Sequence, residues 1–357
     1  MDKKILYVDI SLKGHRIGYL NALLSIKSNN ISLIPHESND IIGKTIIDTS
    51  GFSTKRNLRN YIKFINQINK LIKAEKVDIV HFLCGDALYR FFGLFLKKIS
   101  CPIIITYHHV QFNKVRNYSL NMLYKSSEFG VVHTSALKKS IEDIGIKNVY
   151  QIEYPVFNEE IQEDMLESRK YFDLPEDKKI FAVMGATSHY KGLDILLEAL
   201  KKVDQPFYLF IAGKLHDFNK EYIDSKTNSY KNNVKCTQDR LSDTEFAKAI
   251  NAADYIVLPY RKEFDGASGP LAEGAWYRKN IIGSEHGSLG SLIQKNSLGI
   301  TFRTEDITDL TDKINVVLKK GLFWNEKAES YREQLTIESF LNSYKLLYKQ
   351  VYEYCEE

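Results

Sequence analysis

The chain has 357 residues, of which 44% are hydrophobic and 26% charged, a composition that is ordinary for a folded soluble protein. Its length predicts two domains rather than one core, and no apolar run approaches the ~20 residues that are needed to span a bilayer. The net charge is +4, and the four cysteines are scattered without metal or redox spacing, which is typical of reduced thiols in a cytoplasmic protein.

Short apolar runs alternate with amphipathic stretches along the first half of the chain. Strands are predicted at KILYVDI (4–10), VDIVHFL (77–83), PIIITYH (102–108) and FGVVHTS (129–135). Helical periodicity lies between them, and the longest helix is predicted from about Arg56 to Lys73. Strands that alternate with helices in this way indicate parallel βαβ units.

The alternation weakens after Tyr154 and Pro155. Residues 161–178 are acidic and polar and are predicted to link an N-terminal domain, 1–160, to a C-terminal domain, 179–335. Strands resume at 180–185, 207–213, 254–260 and 280–283, with a helix at 193–202. The last helical segment, 336–357, is expected to pack back toward the N-terminal domain. The predicted fold class is α/β, with two doubly wound, Rossmann-like domains facing across a cleft.

The charge is unevenly distributed along the chain. Residues 1–150 contain 22 Lys and Arg against 11 Asp and Glu, whereas the rest of the chain is acidic. A basic half is consistent with a surface for anionic lipid, a phosphorylated acceptor or nucleic acid, and equally with solvated helix faces. Nucleic acid is the least favoured of these partners because the basic half lacks a recognisable motif with clustered aromatic residues.

A polar loop follows the strand that ends at Tyr260 and precedes a helix with Pro270 in its first turn. Glycines in such a loop let the backbone approach a ligand, and amides at a helix N-terminus suit a diphosphate. Glu273, expected in the first turn, is placed to bind ribose hydroxyls, and Asp265 at the loop tip is placed to meet a sugar. The candidate residues are Asp265, Gly266, Ser268, Gly269, Pro270, Leu271 and Glu273. The alternative is an ordinary capped helix with a favourable acid in its first turn.

A second loop, GATSHYKG (185–192), also joins a strand to a helix. Lys191 lies at the predicted helix N-terminus, where its ammonium would neutralise a diphosphate. Gly185 and Gly192 permit tight turns. By itself this loop is a weak signal, because Lys-Gly before a helix is common.

Together the two loops resemble the retaining glycosyltransferases of the GT-B fold, family 4 (glycosyltransferase group 1). That family carries an E-x7-E element, and Asp265 and Glu273 stand at this spacing within FDGASGPLAEGA. GATSHYKG resembles the family's G-R-x-x-x-x-K-G loop, and FYLFIAG resembles its I-x-G strand, ending at Gly213. In the first half, VDIVHFL and TYHH are similar to two further family motifs and place His108 on the active-site histidine. The resemblance covers nearly the whole chain and is strongest over residues 180–285.

The sequence departs from the family pattern at several positions. Asp265 is one methylene shorter than the usual Glu, and Ala186 replaces a diphosphate-binding Arg, so that Thr187 and Ser188 are expected to donate hydrogen bonds in its place. His109 replaces an Asp. The family's Gly-Gly near the first helix is Lys13-Gly14 here, followed by His15.

The resemblance implies transfer of a sugar from a UDP- or GDP-linked donor to a hydroxyl acceptor, with retention of configuration and without a cofactor or bound metal. Lys191 would stabilise the diphosphate, and His108 and Asp265 would position the sugar. Gly14 and His15 would lie against the donor or acceptor from the first domain. The expected process is bacterial surface polysaccharide or glycoconjugate synthesis in the cytoplasm. The expected acceptor is a glycan or a lipid-linked molecule, and peripheral association with an anionic membrane is an open alternative.

His81 and His133 lie within strand patterns and are expected to be core residues.

Two alternative functions remain at this stage. A sugar-nucleotide epimerase would share the two-domain architecture, and a non-catalytic sugar-nucleotide-binding partner subunit would be consistent with Ala186 and Asp265.

Overall fold

The apolar runs of the sequence form two parallel sheets, each in its own unit of the chain. The computed structural model describes residues 3–12, 16–108, 110, 112–157, 161, 163–264 and 268–356. The first unit comprises Met1–Phe157 and Ile337–Glu357, and the second comprises Asn158–Thr336.

The first unit is built on a seven-stranded parallel sheet. Its strands are β1 (Ile5–Val8), β2 (Ile31–Ile34), β3 (Lys44–Ile47), β4 (Ile79–Phe82), β5 (Ile103–Thr106), β6 (Phe129–Val132) and β7 (Val149–Gln151). They are ordered β3-β2-β1-β4-β5-β6-β7. Its helices are α1 (Arg16–Leu24), α2 (Leu58–Glu75), α3 (Lys114–Tyr124), α4 (Ser135–Asp143) and the C-terminal helix (Ile337–Glu356). The order reverses between β1 and β4, as in a doubly wound fold.

Alternate residues of the central strands supply two separate cores. Leu6 and Val8 of β1 pack in a cluster with the buried face of α2, whereas Ile5 and Tyr7 pack with α1 and the C-terminal helix. Helix α2 begins at a side-chain cap, Asn57, which accepts from the amide of Asn60. Because both faces of the sheet are covered, its central strands are buried and mostly apolar.

The C-terminal helix is anchored by polar contacts within the first unit. His81 Nδ1 lies 2.8 Å from the Tyr348 hydroxyl, and its Nε2 lies 2.8 Å from Thr106 Oγ1. Burial lowers the pKa of His81 to about 3 and that of His133 to about 4. Both imidazoles are therefore neutral core residues, as the sequence predicted.

The second unit has a six-stranded parallel sheet. Its strands are β8 (Ile180–Met184), β9 (Tyr208–Ala212), β10 (Val234–Cys236), β11 (Tyr255–Leu258), β12 (Asn280–Ser284) and β13 (Gly299–Phe302). They are ordered β10-β9-β8-β11-β12-β13. Its helices are α5 (Met165–Tyr171), α6 (Leu193–Leu200), α7 (Lys220–Thr227), α8 (Asp243–Ala252), α9 (Gly269–Trp276), α10 (Gly287–Lys295), α11 (Ile307–Lys320) and α12 (Glu326–Gln334).

The structure differs from the sequence prediction over residues 161–178, which are part of the second unit rather than a linker. They contain α5, whose capping box is formed by Asp164 and Glu167. Arg169 is buried and donates to Asp254 Oδ2 at 2.7 Å and to the carbonyl of Ala252 at 3.0 Å. The prediction failed because Arg169 has partners on other elements, so its charge does not mean exposure to solvent.

Candidate functional site

The second sheet reverses its winding between β8 and β11. These strands are neighbours and run parallel, and the chain leaves them toward opposite edges of the sheet. In doubly wound sheets such a reversal opens a crevice beyond the carboxyl ends of the two strands, where ligands bind. The loops that leave β8 and β11 are 185–192 and 259–268, the two that the sequence singled out.

Arg261 joins these loops to each other. Its amide donates to the carbonyl of Tyr190 at 2.8 Å, and its Nε donates to the carbonyl of His189 at 3.2 Å. Its guanidinium also pairs with Asp194 at 2.6 Å and with Glu305 at 3.0 Å. Sequence reasoning missed Arg261, since nothing in its local pattern distinguishes a clamp from a surface arginine.

Glycines fix the shape of the first loop. Gly192 has φ of +66°, and a Cβ there would lie 2.0 Å from the carbonyl oxygen of Pro259, so only glycine fits this approach of the two loops. Gly185 has φ of +86°, and its Cβ position lies 2.9 Å from Lys191 Nζ. Gly213 packs behind this loop, with its Cβ position 2.5 Å from the carbonyl oxygen of Gly185. The backbone of Gly213 therefore supports Gly185, and the donor-binding role of Gly213 stays a prediction.

Lys191 places a cation inside the crevice. Its Nζ donates to the carbonyl of Met184 at 3.3 Å and lies 5.9 Å from the centre of the Tyr260 ring. Among the residues that the structure describes, no carboxylate pairs with this ammonium. Burial lowers the pKa of Lys191 to about 8, which leaves it mostly protonated at neutral pH. A buried ammonium of this kind is stabilised by an anionic ligand.

Thr187 does not have the role predicted for it. The residue is 1% exposed, and its hydroxyl donates to the carbonyl of Phe218 at 3.0 Å while accepting from the amide of His216 at 2.8 Å. A hydroxyl has one proton, so none is left for a ligand. Ser188 is partly exposed at the next position and can donate from its side chain. Of the two expected substitutes for the arginine, only Ser188 is placed to act.

Ser268 caps helix α9. Its side chain accepts from the amide of Leu271 at 3.3 Å, and Pro270 stands in the first turn as predicted. The amide of Leu271 is consequently occupied, and the prediction that it points toward a ligand is wrong. Because Pro270 has no N–H, the helix itself offers mainly the amide of Gly269. The Tyr260 hydroxyl lies 3.3 Å from Ser268 Oγ and holds the cap against the end of β11.

Glu273 is one turn deeper than the sequence suggested. It is the fifth residue of α9 rather than a first-turn residue, because the helix begins only at Gly269. The side chain is 6% exposed and reaches back along the helix, so that its Oε1 lies 3.9 Å from the Cβ position of Gly269. A glycine at 269 thus leaves space beside a buried carboxylate. Asp265 and Gly266 lie outside the described residues.

In the first sheet, His108 lies just beyond the carboxyl end of β5. Its Nε2 lies 3.1 Å from the carbonyl oxygen of Leu83, and its amide donates to Asp86 Oδ2 at 3.2 Å. The carbonyl can only accept, so Nε2 carries the proton and Nδ1 is the basic nitrogen of the neutral ring. Tyr19 packs edge-on against the imidazole with ring centres 5.7 Å apart. The candidates Gly14 and His15 after β1, and also His109, lie outside the described residues.

An ion pair at the end of β1 was not anticipated from the sequence. Arg16 NH1 lies 2.8 Å from Asp9 Oδ1, and Asp9 is 2% exposed. Burial raises the pKa of Asp9 to about 6, although Arg16 opposes the rise. Since β1 and β4 flank the reversal of the first sheet, this pair lies at the ligand-binding edge of that sheet.

Comparisons with known proteins agree with this architecture. Residues 164–336 match the family described as glycosyl transferases group 1. The chain is 24% identical over 297 residues to an uncharacterized glycosyltransferase of Methanocaldococcus jannaschii, covering 79% of this chain and 78% of the relative. These matches support the group 1 family and a glycosyl transfer function.

Solved structures show the same fold. A glycosyltransferase of Rickettsia africae superposes with a TM-score of 0.76 at 18% identity and covers 98% of both chains. HepE of Anabaena, in complex with UDP and glucose, superposes with a TM-score of 0.74 at 12% identity and covers 98% of this chain and all of its own, 100%. The fold of the chain is the two-domain GT-B glycosyltransferase fold.

None of the described helices is long and apolar enough to cross a membrane. Three or more His, Cys, Asp or Glu side chains placed to hold a metal ion are likewise not found in the part of the chain that the structure describes.

Proposed function

We propose that this protein transfers a sugar from a UDP- or GDP-linked donor to a hydroxyl acceptor with retention of configuration, as the retaining enzymes of family 4 do. The observation that carries the proposal is the buried ammonium of Lys191 in the crevice between β8 and β11. In a glycosyltransferase fold, a cation at this position that none of the described carboxylates pairs with calls for an anionic group from the ligand. The diphosphate of a sugar nucleotide has the required charge.

The donor would lie along the crevice with each part against a different group. Lys191, Ser188 and the amide of Gly269 would face the diphosphate, and Glu273 would accept hydrogen bonds from the ribose hydroxyls. A carboxylate has two oxygens, each of which can accept a hydrogen bond from a hydroxyl. A neighbouring structure, HepE, holds UDP-glucose, which supports a nucleotide sugar as the ligand to test first.

The reaction proposed is a front-face displacement at the anomeric carbon. The bond from that carbon to the diphosphate oxygen breaks, and its electron pair leaves with the diphosphate. The acceptor oxygen forms the new bond from the same face, and its proton passes to the leaving diphosphate oxygen. Lys191 would stabilise the charge that grows on the diphosphate, while His108 and Asp265 would orient the sugar. Gly14 and His15 would contact the donor diphosphate or the acceptor.

We further propose a role in bacterial surface polysaccharide or glycoconjugate synthesis in the cytoplasm, with a glycan or lipid-linked acceptor. The fold neighbours include a lipopolysaccharide outer core galactosyltransferase, WaaB. The basic first half of the chain supports an anionic acceptor and peripheral contact with an anionic membrane. No nucleic acid partner is proposed.

The second candidate is a non-catalytic partner subunit that binds sugar nucleotides. Ala186 favours it, since the first loop then presents one cation where the resemblance calls for two. An epimerase would use the same donor site without an acceptor.

A two-step experiment separates these functions. Thermal-shift screening against UDP- and GDP-linked sugars should show stabilisation by at least one donor, because a ligand that binds only the folded state stabilises it by mass action. Products formed from that donor are then identified. A new glycoside bond supports the transferase, an interconverted donor indicates an epimerase, and binding without turnover in the presence of cell glycans indicates the partner subunit. Failure of every sugar nucleotide to bind would refute the proposal.

A further inference from the structure

A second candidate binding site lies wholly within the first unit. An open cavity of about 430 Å³ is lined by short helical turns at Gly85–Ala87 and Tyr89–Phe91, by the residue before the α2 cap and by the start of α3. That volume is in the range of small-molecule sites, roughly 300–1,000 Å³. The residues that define it chemically are Arg56, Asp86, Tyr89, Arg90, Phe92 and Arg116.

The cavity is strongly positive, with three arginines against one aspartate. Arg90 NH1 donates to the backbone carbonyl of Arg56 at 3.1 Å, which holds the Arg90 side chain beside Arg56, and both residues line the cavity. Neither Arg56 nor Arg90 forms an ion pair with any residue that the structure describes. Asp86 is engaged by the amide of His108 at 3.2 Å. The start of α3, with Arg116 as its third residue, adds the positive end of a helix dipole.

Tyr89 of the wall belongs to a cluster of three tyrosines. Tyr89 Oη is buried and makes no hydrogen bond within the described part of the chain, and the same is true of Tyr107 and Tyr124. The three rings adjoin one another, with centres 6.0 Å apart for Tyr89 and Tyr107 and 5.4 Å apart for Tyr107 and Tyr124. These three oxygens are closed to solvent, so the charged donors of the cavity are the guanidinium groups. Guanidinium donors fit a ligand rich in acceptor oxygens.

Apolar side chains border the charged wall. Val115 lines the cavity and is 65% exposed, and Phe92 lines it beside Tyr118, with ring centres 6.0 Å apart. Such a border would contact an uncharged sugar ring or a hydrocarbon chain attached to the anionic group.

We propose that this cavity binds a phosphate group of the acceptor, and this inference rests on the proposed transferase function. Asp86 belongs to the cavity and also contacts the backbone of His108, so the cavity adjoins the group proposed to act at the sugar. An acceptor held by its phosphate at Arg56 and Arg90 would carry its hydroxyl toward that edge of the first sheet. The phosphate belongs either to a phosphorylated glycan in solution or to a lipid-linked acceptor.

Binding of inorganic phosphate, measured by isothermal titration calorimetry, tests the site directly. We expect Arg90→Ala and Arg56→Ala each to weaken binding about tenfold or more, the loss of one charge-assisted contact. Arg59→Ala is the matched control, because Arg59 is an exposed arginine of α2 that does not line the cavity. Equal effects of Arg59 and Arg90 substitutions, or no effect of either cavity variant, would overturn the proposal.

Two further arms identify the source of the phosphate and separate this inference from the proposed function. Co-sedimentation with phosphatidic acid vesicles that is lost in Arg90→Ala supports a lipid-linked acceptor, whereas phosphate binding without vesicle binding supports a soluble one.

UDP binding is measured on the same preparations. The Lys191→Met variant should no longer bind UDP but should still bind phosphate at the cavity. The Arg90→Ala variant should still bind UDP but should bind phosphate weakly. If no nucleotide binds the unsubstituted protein, the donor function fails even where the phosphate site is real.

Discussion

Lys191 offers a sharp test, because its substitution should improve the stability of the ligand-free protein while impairing its binding site. Burial lowers its pKa from 10.5 to about 8. At ~1.4 kcal/mol per pKa unit, keeping the charge in the folded state costs up to about 3 kcal/mol at pH 7. The unfolded chain binds this proton more tightly, so the cost is fully present below pH 8 and is relieved as pH rises from 8 to 10.5.

Lys191→Met removes the charge and preserves most of the side-chain volume. It also removes the hydrogen bond to the Met184 carbonyl, so we expect a net gain of about 1–2 kcal/mol, or a rise in Tm of roughly 2–6 °C. Affinity for a nucleoside diphosphate should fall at least about tenfold, since a charge-assisted contact is lost. For the unsubstituted protein, the same affinity should weaken as pH is raised above 8. Differential scanning calorimetry and titration calorimetry from pH 7 to 10 measure these quantities.

Lys279 provides a matched control. Burial lowers its pKa to about 8 as well, and its Nζ donates to the Asn251 carbonyl at 2.7 Å. Lys279 immediately precedes β12, at the amino end of the sheet, whereas Lys191 lies beyond the carboxyl end of β8. Lys279→Met should therefore leave nucleotide affinity unchanged. The reasoning is refuted if Lys191→Met lowers the Tm, or if both variants bind the nucleotide like the unsubstituted protein.

Three other predictions concern Glu273, Gly192 with Gly43 as its control, and dependence on a metal ion. Glu273→Gln keeps the shape of the side chain but removes its charge, and should weaken nucleotide binding by about tenfold with little loss of folded structure, as checked by calorimetry and circular dichroism. Gly192→Ala should destabilise the protein by more than about 2 kcal/mol and abolish nucleotide binding, because its Cβ meets the Pro259 carbonyl. Gly43→Ala, at φ of +76° with open space around it, should cost only about 1 kcal/mol in urea denaturation and should not affect binding. Transferase activity should survive EDTA; loss that magnesium or manganese restores would contradict the metal-independent mechanism.

The strands recognised from the sequence are the central ones of both sheets. β1, β4, β5 and β6 are contiguous in the first sheet, and β9, β8, β11 and β12 are contiguous in the second. Strands that are covered on both faces are mostly apolar runs, which are easy to recognise in a sequence. The strands missed include the outermost ones, among them β3, whose burial pattern is mixed, and β7 and β10, which have three residues each. Short strands at an edge carry too little apolar contrast to stand out.

The candidate site also has features that the sequence revealed and features that it did not. The sequence located both loops, because glycines, a lysine and a proline at a strand-to-helix junction have local causes. It assigned the wrong role to Thr187, whose proton is taken by Phe218, and it did not find Arg261, whose partners lie on three other segments. Hydrogen-bond partners distant in sequence were not visible in either case.

The amino-acid sequence by itself determined the alternation of buried strands with helices, the doubly wound class and the two loops at the reversal of the second sheet, since each depends on apolar periodicity or on the backbone freedom of glycine. Only the tertiary structure decided what each polar side chain does there. Burial lowered the pKa of Lys191, the register of α9 placed Glu273 in its second turn, and the packing of α3 beside Arg56 and Arg90 made a charged cavity. These properties depend on desolvation and on neighbours brought together by folding, and neither is encoded in any local stretch of sequence.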